Sequence, residues 1–206
     1  MENNYQYLDP DFIYTNKDGL LHNIPKIEDE KILLAYESLK VSKRIEELLQ
    51  NPIKIKDSSS LLQIHHHLFQ DVYEWAGKVR TVNITKDGKP FFNGERFERA
   101  FQYLDILISE YRTIKKSNRK EIAKKLAEIL DTANYLHPFR EGNGRTQREF
   151  LRLLALEKEI TLNLNPPDNM SVYQRCMKGT IESNLIVLND LIFELVNTTN
   201  EKKNDT

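Results

Sequence analysis

Between Ile122 and Leu136 the apolar residues fall at Ile122, Leu126, Ile129, Leu130, Ala133 and Leu136, mostly three or four apart. That spacing lines them along one stripe of an α-helix, and the stripe has to be buried against something. It stops directly at His137, where the chain turns polar: residues 137–150 read HPFREGNGRTQREF. Helical spacing then resumes at Phe150, Leu151, Leu153, Leu154 and Leu156. Any fold for this chain must therefore join two buried helices through an elbow rich in glycine and charge. Such residues lower stability at that place unless a ligand or a strict backbone geometry needs them.

The rest of the chain extends the helical pattern. Residues 29–50 carry Ile32, Leu33, Tyr36, Leu39, Ile45, Leu48 and Leu49, ending before Asn51–Pro52. Ser58 to Ser60 offer N-caps for a helix holding Leu61, Leu62, Ile64, Leu68 and Phe69. Phe97, Phe101, Leu104, Ile108 and Tyr111 mark another helix, and two more are expected near 170–180 and 184–197, after the Pro166–Pro167 break. One stretch departs from this. VRTVNITKDGKPFF, residues 79–92, is β-branched and alternating around Asp87–Gly88, a hairpin signal in which Pro90 demands an edge or a lone hairpin, never a central strand. The expectation is an all-α single domain over 1–196, with a lead-in segment at 1–28, one small β-hairpin, and a flexible tail at 197–206.

Thirty basic against thirty-one acidic residues leave a net charge of −1, and the basic runs near Lys115–Lys125 sit beside acids. Direct nucleic-acid binding is not expected from such a balance. No run of eighteen apolar residues suggests a membrane span, and MENNYQYLDPDF lacks the pattern of a signal peptide. Cys176, the only cysteine, excludes an internal disulfide and fits a reducing, cytoplasmic setting.

Within the elbow each residue type has a distinct use. Gly142 and Gly144 let backbone N–H groups approach a ligand, and the helix starting near Arg145 points its positive end there. Arg145 and Arg148, three apart, can share one side of that helix, so two arginines at an anion hole suggest more than one phosphate. Glu141 is an awkward neighbour for phosphate unless a cation such as Mg²⁺ lies between them. His137 carries the side chain here that exchanges a proton near neutral pH. Phe139 is expected to anchor the loop in the core.

HPFREGNGRTQR resembles, without a departure, the signature of the Fic family, His-x-Phe-x-Asp/Glu-Gly-Asn-Gly-Arg-x-x-Arg. VYEWAGKVRTVNITKDG (72–88) and YLDPDFIYTNKDGLLHN (7–23) are similar to the family's flap approach and its N-terminal segment, so the likeness covers most of 5–196. The resemblance implies a Fic-type helical bundle with the 79–92 hairpin as flap and 137–148 as active-site loop. It implies transfer of AMP from ATP to a hydroxyl side chain of a target protein, with release of pyrophosphate. Carried over by position, His137 would be the base and Glu141 the Mg²⁺ ligand. Gly142, Asn143 and Gly144 would form the anion nest, Arg145 would meet the β-phosphate and Arg148 the γ-phosphate. Thr85, Lys86, Asp87 and Phe92 would belong to the target-docking flap, and Tyr173, Gln174 and Met177 to the adenine pocket. The alternatives are a Fic-fold enzyme that uses another donor or removes AMP, and a non-catalytic ATP-binding module.

Many Fic proteins also hold an inhibitory Ser/Thr-x-x-x-Glu-Gly/Asn helix. Ser42-Lys-Arg-Ile-Glu46 and Ser117-Asn-Arg-Lys-Glu121 come near it, yet neither is followed by Gly or Asn. The resemblance then implies a member controlled by a separate small antitoxin-like protein. Its targets would be topoisomerase subunits, unless it is a domain of an effector delivered into a host cytosol. His65, His66 and His67 invite a metal assignment, but successive helical positions point about 100° apart and cannot converge on one ion. A packed or surface trio is the expectation for them, and a core position for Trp75.

Overall fold

The computed structural model describes residues 5–86, 89–90, 92 and 96–204. Seven helices dominate it: α1 (Glu30–Gln50), α2 (Ser59–Phe69), α3 (Phe97–Thr113), α4 (Arg119–Leu136), α5 (Asn143–Leu156), α6 (Met170–Ile181) and α7 (Leu185–Asn204). The stripe from Ile122 to Leu136 is more than a stripe. Ala123 and Ala127 are buried with it, and α4 packs against α3, α5, α6 and α7 at once. A helix enclosed on several sides is the axis of the domain, and its C-terminus sets where the elbow opens. Asn118 starts it, its side-chain carbonyl accepting the Glu121 N–H at 3.2 Å.

Three strands accompany the helices: β1 (Tyr5–Leu8), β2 (Asn83–Lys86) and β3 (Lys89–Pro90), antiparallel in the order β1-β2-β3. The expected hairpin is β2–β3, with Thr85 opposite Pro90, and Pro90 is on the edge as its missing N–H requires. It is not a lone hairpin. Tyr5–Leu8 pairs along β2 from Tyr5 opposite Lys86 to Leu8 opposite Asn83, covering an edge that would otherwise stay open. Asp87, and the side chain of Lys86, lie outside the described residues.

One local expectation is corrected. Ser58 has helical φ and ψ and makes no side-chain cap on α2; its N–H donates to Asp105 Oδ1 at 2.6 Å. Asp57 Oδ1 instead accepts the Ser59 N–H at 2.9 Å, because the carboxylate is the stronger acceptor one residue earlier. α7 runs on through part of the segment expected as a flexible tail, as far as Asn204. No glycine or proline interrupts 185–204, and a helix already nucleated extends residue by residue through such sequence. None of the described helices is long and apolar enough to cross a membrane.

Candidate active site

At the end of α4, His137 turns the chain with a left-handed backbone, φ 43° and ψ 59°, its N–H bonding Ala133 O at 3.2 Å. That conformation is uncommon for a residue with a β-carbon and is held from outside. Arg80 Nε donates to His137 O at 2.8 Å, and the Arg80 backbone N–H to Pro138 O at 2.8 Å. The remaining Arg80 nitrogens donate to Val82 O and Phe92 O, both at 2.6 Å, with the guanidinium over the Phe97 ring. One buried arginine thus ties both roots of the flap to the elbow, and burial pushes its pKa down to about 10. The His137 ring places Nδ1 3.3 Å from Asn134 O. A carbonyl only accepts, so Nδ1 carries the proton and a neutral ring keeps its lone pair on Nε2.

The loop after His137 is pinned by side chains. Phe139 is fully buried and stacks on His65 with 3.7 Å between ring centroids. Asn143 is buried and spends its amide on the loop: Oδ1 accepts the Phe139 N–H at 2.9 Å, and Nδ2 donates to Phe139 O at 2.8 Å. Its contribution to an anion nest is therefore its backbone. Gly142 has φ +82°, and a β-carbon there would lie 2.3 Å from the Phe69 ring, so only glycine fits. His65, the buried member of the histidine trio, accepts the Gly77 N–H on Nδ1 at 2.8 Å. Its Nε2 therefore donates to Glu141 O at 3.0 Å. Burial pushes its pKa down to about 3. His66 and His67 bond to Ala76 O and Arg44 O instead. Three rings go three ways, and the described residues contain no cluster of three or more His, Cys, Asp or Glu suited to a metal.

A cavity of about 700 Å³ opens over this elbow, and His137, Glu141, Gly142, Asn143, Gly144, Arg145 and Arg148 all line it. Glu141 Oε1 accepts the Gly142 N–H at 2.8 Å and lies 3.4 Å from an Arg145 nitrogen. Arg145 reaches deeper to Glu37 on α1, 2.6 Å away, with its guanidinium 4.8 Å above the Phe69 ring. Arg148 is different. It is half-buried, lies 5.2 Å above the Tyr173 ring, and forms no salt bridge with any described carboxylate. Burial, and to a smaller degree Arg145, push its pKa down. A desolvated cation without a counter-ion, beside a helix N-terminus, is a place built for an anion. One half-exposed carboxylate at such a place also suits Mg²⁺, which takes one or two protein carboxylates and completes its shell with phosphate and water.

Tyr173 and Met177 line the cavity, while Gln174 is exposed and not part of its lining. Of the flap residues, Thr85 and Phe92 are not part of its lining. Thr85 is engaged in the sheet, and Phe92 packs on Phe97 and Tyr135, anchoring the flap's return to α3 and α4. Trp75 is a core residue, stacked on Tyr73 at 4.3 Å. Sequence reasoning missed Glu37, Tyr73 and Arg80. Glu37 had a visible signal: it interrupts the buried i, i+4 run Leu33–Glu37–Val41 with a charge.

Residues 56–155 match the model of the Fic/DOC family. Protein adenylyltransferase VbhT of Bartonella schoenbuchensis is 36% identical over 146 residues, which is 70% of this chain but 30% of that protein. A probable protein adenylyltransferase of Sinorhizobium fredii is 37% identical over 137 residues, 66% of this chain and 70% of the relative. Among solved structures, the effector protein BepC of Bartonella tribocorum, with bound AMPPNP, superposes with a TM-score of 0.73 at 22% identity. The match covers 88% of this chain and 95% of BepC's, and it shows the shared fold.

Proposed function

The chain belongs to the Fic/DOC family, and from that premise we propose that it transfers AMP from ATP to a hydroxyl side chain of a protein. The observation that carries this is Arg148, a half-buried cation without a carboxylate partner among the described residues, lining the cavity at the N-terminus of α5. The named relatives support the same activity, although the chain spans less than a third of VbhT. The triphosphate lies along α5, with Arg145 at the β-phosphate and Arg148 at the γ-phosphate, and the base against Tyr173 and Met177. His137 Nε2 takes the proton of the target hydroxyl. The freed oxygen forms a bond to the α-phosphorus, the bond from that phosphorus to the bridging oxygen breaks, and pyrophosphate leaves with the electron pair. Glu141 would hold Mg²⁺, which would supply charge neutralisation for the phosphates, and the arginines and the helix start supply the rest. ATP as donor and the single cysteine, Cys176, both suit a reducing cytosol as the setting of the reaction.

The test is incubation of the chain with labelled ATP and a cell lysate, beside His137→Ala. Labelled proteins whose mass has grown by one AMP, absent with the variant, are expected. Equal labelling by the variant would remove His137 from the chemistry, and a different added mass would replace the donor.

A second proposal concerns control. Neither near-match to the inhibitory motif aims a glutamate at Arg148: Glu46 is exposed, Glu47 pairs with Arg44, and Glu121 lies beside Lys124. Next to the cavity a groove of about 550 Å³ is lined by Val41, Ile45, Leu49, Leu156, Met170 and Arg148. A largely apolar trough that also carries Arg145, Arg148 and Arg152 suits an amphipathic helix bearing a glutamate, supplied by a separate small protein. A Ser-x-x-x-Glu-Asn helix peptide should slow transfer and its Glu→Gln form should not. Equal slowing by both forms sinks the proposal.

A further inference from the structure

Glu37 is the charged member of α1's buried face, with Leu33, Val41 and Leu48. Its side chain is 4% exposed. A carboxylate so placed is costly unless each oxygen is satisfied. Both are. One oxygen meets Arg145 at 2.6 Å, and the other accepts the Tyr73 hydroxyl. Tyr73 stacks on Trp75, and burial, with the Glu37 charge next, raises its pKa, so it stays a donor. Arg145 therefore lies between two carboxylates, at 2.6 Å from Glu37 and 3.4 Å from Glu141. Glu141 is four residues before Arg145, the spacing at which such pairs close readily. Closed onto Arg145, Glu141 is neutralised and lost to a cation.

We propose that Glu37 is a positioning residue: braced by Tyr73, it draws Arg145 off Glu141, leaving Glu141 for the metal and the outer edge of Arg145 for the β-phosphate. This rests on the nucleotide assignment above, but not on the transfer step. No previous feature of the motif requires a residue on α1, and the deep ion pair is what links that helix to the elbow.

The test is calorimetric titration of AMP, ADP and ATP, with and without Mg²⁺, onto the full chain and its Glu37→Gln and Tyr73→Phe variants. Glu37→Gln should bind Mg–ADP and Mg–ATP at least about tenfold more weakly, with AMP within about twofold of the unaltered chain. The Mg²⁺ concentration needed for tight ADP binding should rise. Tyr73→Phe, which keeps the carboxylate, should show the same pattern at about threefold, and it carries the test if Glu37→Gln does not fold. Unchanged or tighter Mg–ADP binding overturns the proposal, and so does a parallel loss of AMP, which would make Glu37 a fold residue only. A chain that binds nucleotide in this pattern but labels no protein rejects AMP transfer and leaves the role of Glu37 standing.

Discussion

Arg80 Nε lies 2.8 Å from the carbonyl oxygen of His137, so a buried cation from the flap's root holds the backbone of the proposed base. The same guanidinium serves Val82 O and Phe92 O. Arg80→Met leaves three carbonyls short of a donor at once. We predict a loss of about 3 kcal/mol in urea unfolding. At permissive temperature we also predict a fall in transfer rate larger than any fall in ATP affinity. A variant that unfolds within about 0.5 kcal/mol of the unaltered chain would show that the three bonds carry no net stability.

His65 supplies a pH prediction. Its pKa is about 3 in the folded chain against 6.5 for the free group, because burial disfavours the charged ring. The unfolded chain therefore binds a proton that the folded chain refuses. The stabilising contribution is complete above 6.5 and declines by about 1.4 kcal/mol per unit as pH falls toward 3. Between pH 7 and pH 5 this ring should remove roughly 2 kcal/mol of unfolding free energy. His65→Gln should start less stable at pH 7 yet lose less on the way to pH 5. Parallel losses in the two proteins would assign the acid sensitivity elsewhere.

The two glycines of the elbow should respond differently to a methyl group. At Gly142 a β-carbon meets the Phe69 ring at 2.3 Å in a left-handed backbone, so Gly142→Ala should cost about 3 kcal/mol or more. At Gly144 the nearest atom is a terminal nitrogen of Arg148 at 3.1 Å, the far end of a flexible side chain. Gly144→Ala should keep its melting temperature and weaken ATP binding by displacing Arg148. Comparable melting temperatures for both variants would contradict this division.

Arg148 should grade nucleotides by phosphate number. Removing a partner of a charged hydrogen bond is worth about 1.5–3 kcal/mol, so Arg148→Ala should weaken ATP by about tenfold or more. ADP and AMP should change far less. An equal loss for all three would move Arg148 from the γ-phosphate to the base or the fold.

Much of the fold was readable because helices announce themselves by period. The α4 stripe, the break at Pro166–Pro167 and the resumption at Phe150 each became a boundary or an element. The motif residues were readable as a group, since seven of them line one cavity. What escaped depends on distance in sequence. Arg80 acts on carbonyls up to 57 residues away, and backbone acceptors leave no mark in composition. Glu37 and Arg145 meet across the bundle, and neither residue's neighbours name the other. The four residues of β1 are too few to show an alternation, so their pairing with β2 could not be foreseen.

That pairing has a consequence for anything extended that approaches the flap. At Thr85 and Lys86 the β2 backbone already has a neighbour on each side, β1 on one and β3 on the other. A visiting segment finds no vacant rung there. It must either build outward from one of the flanking strands or evict Tyr5–Leu8 and take over its register, so the flap is as receptive as its own first strand is willing to let go.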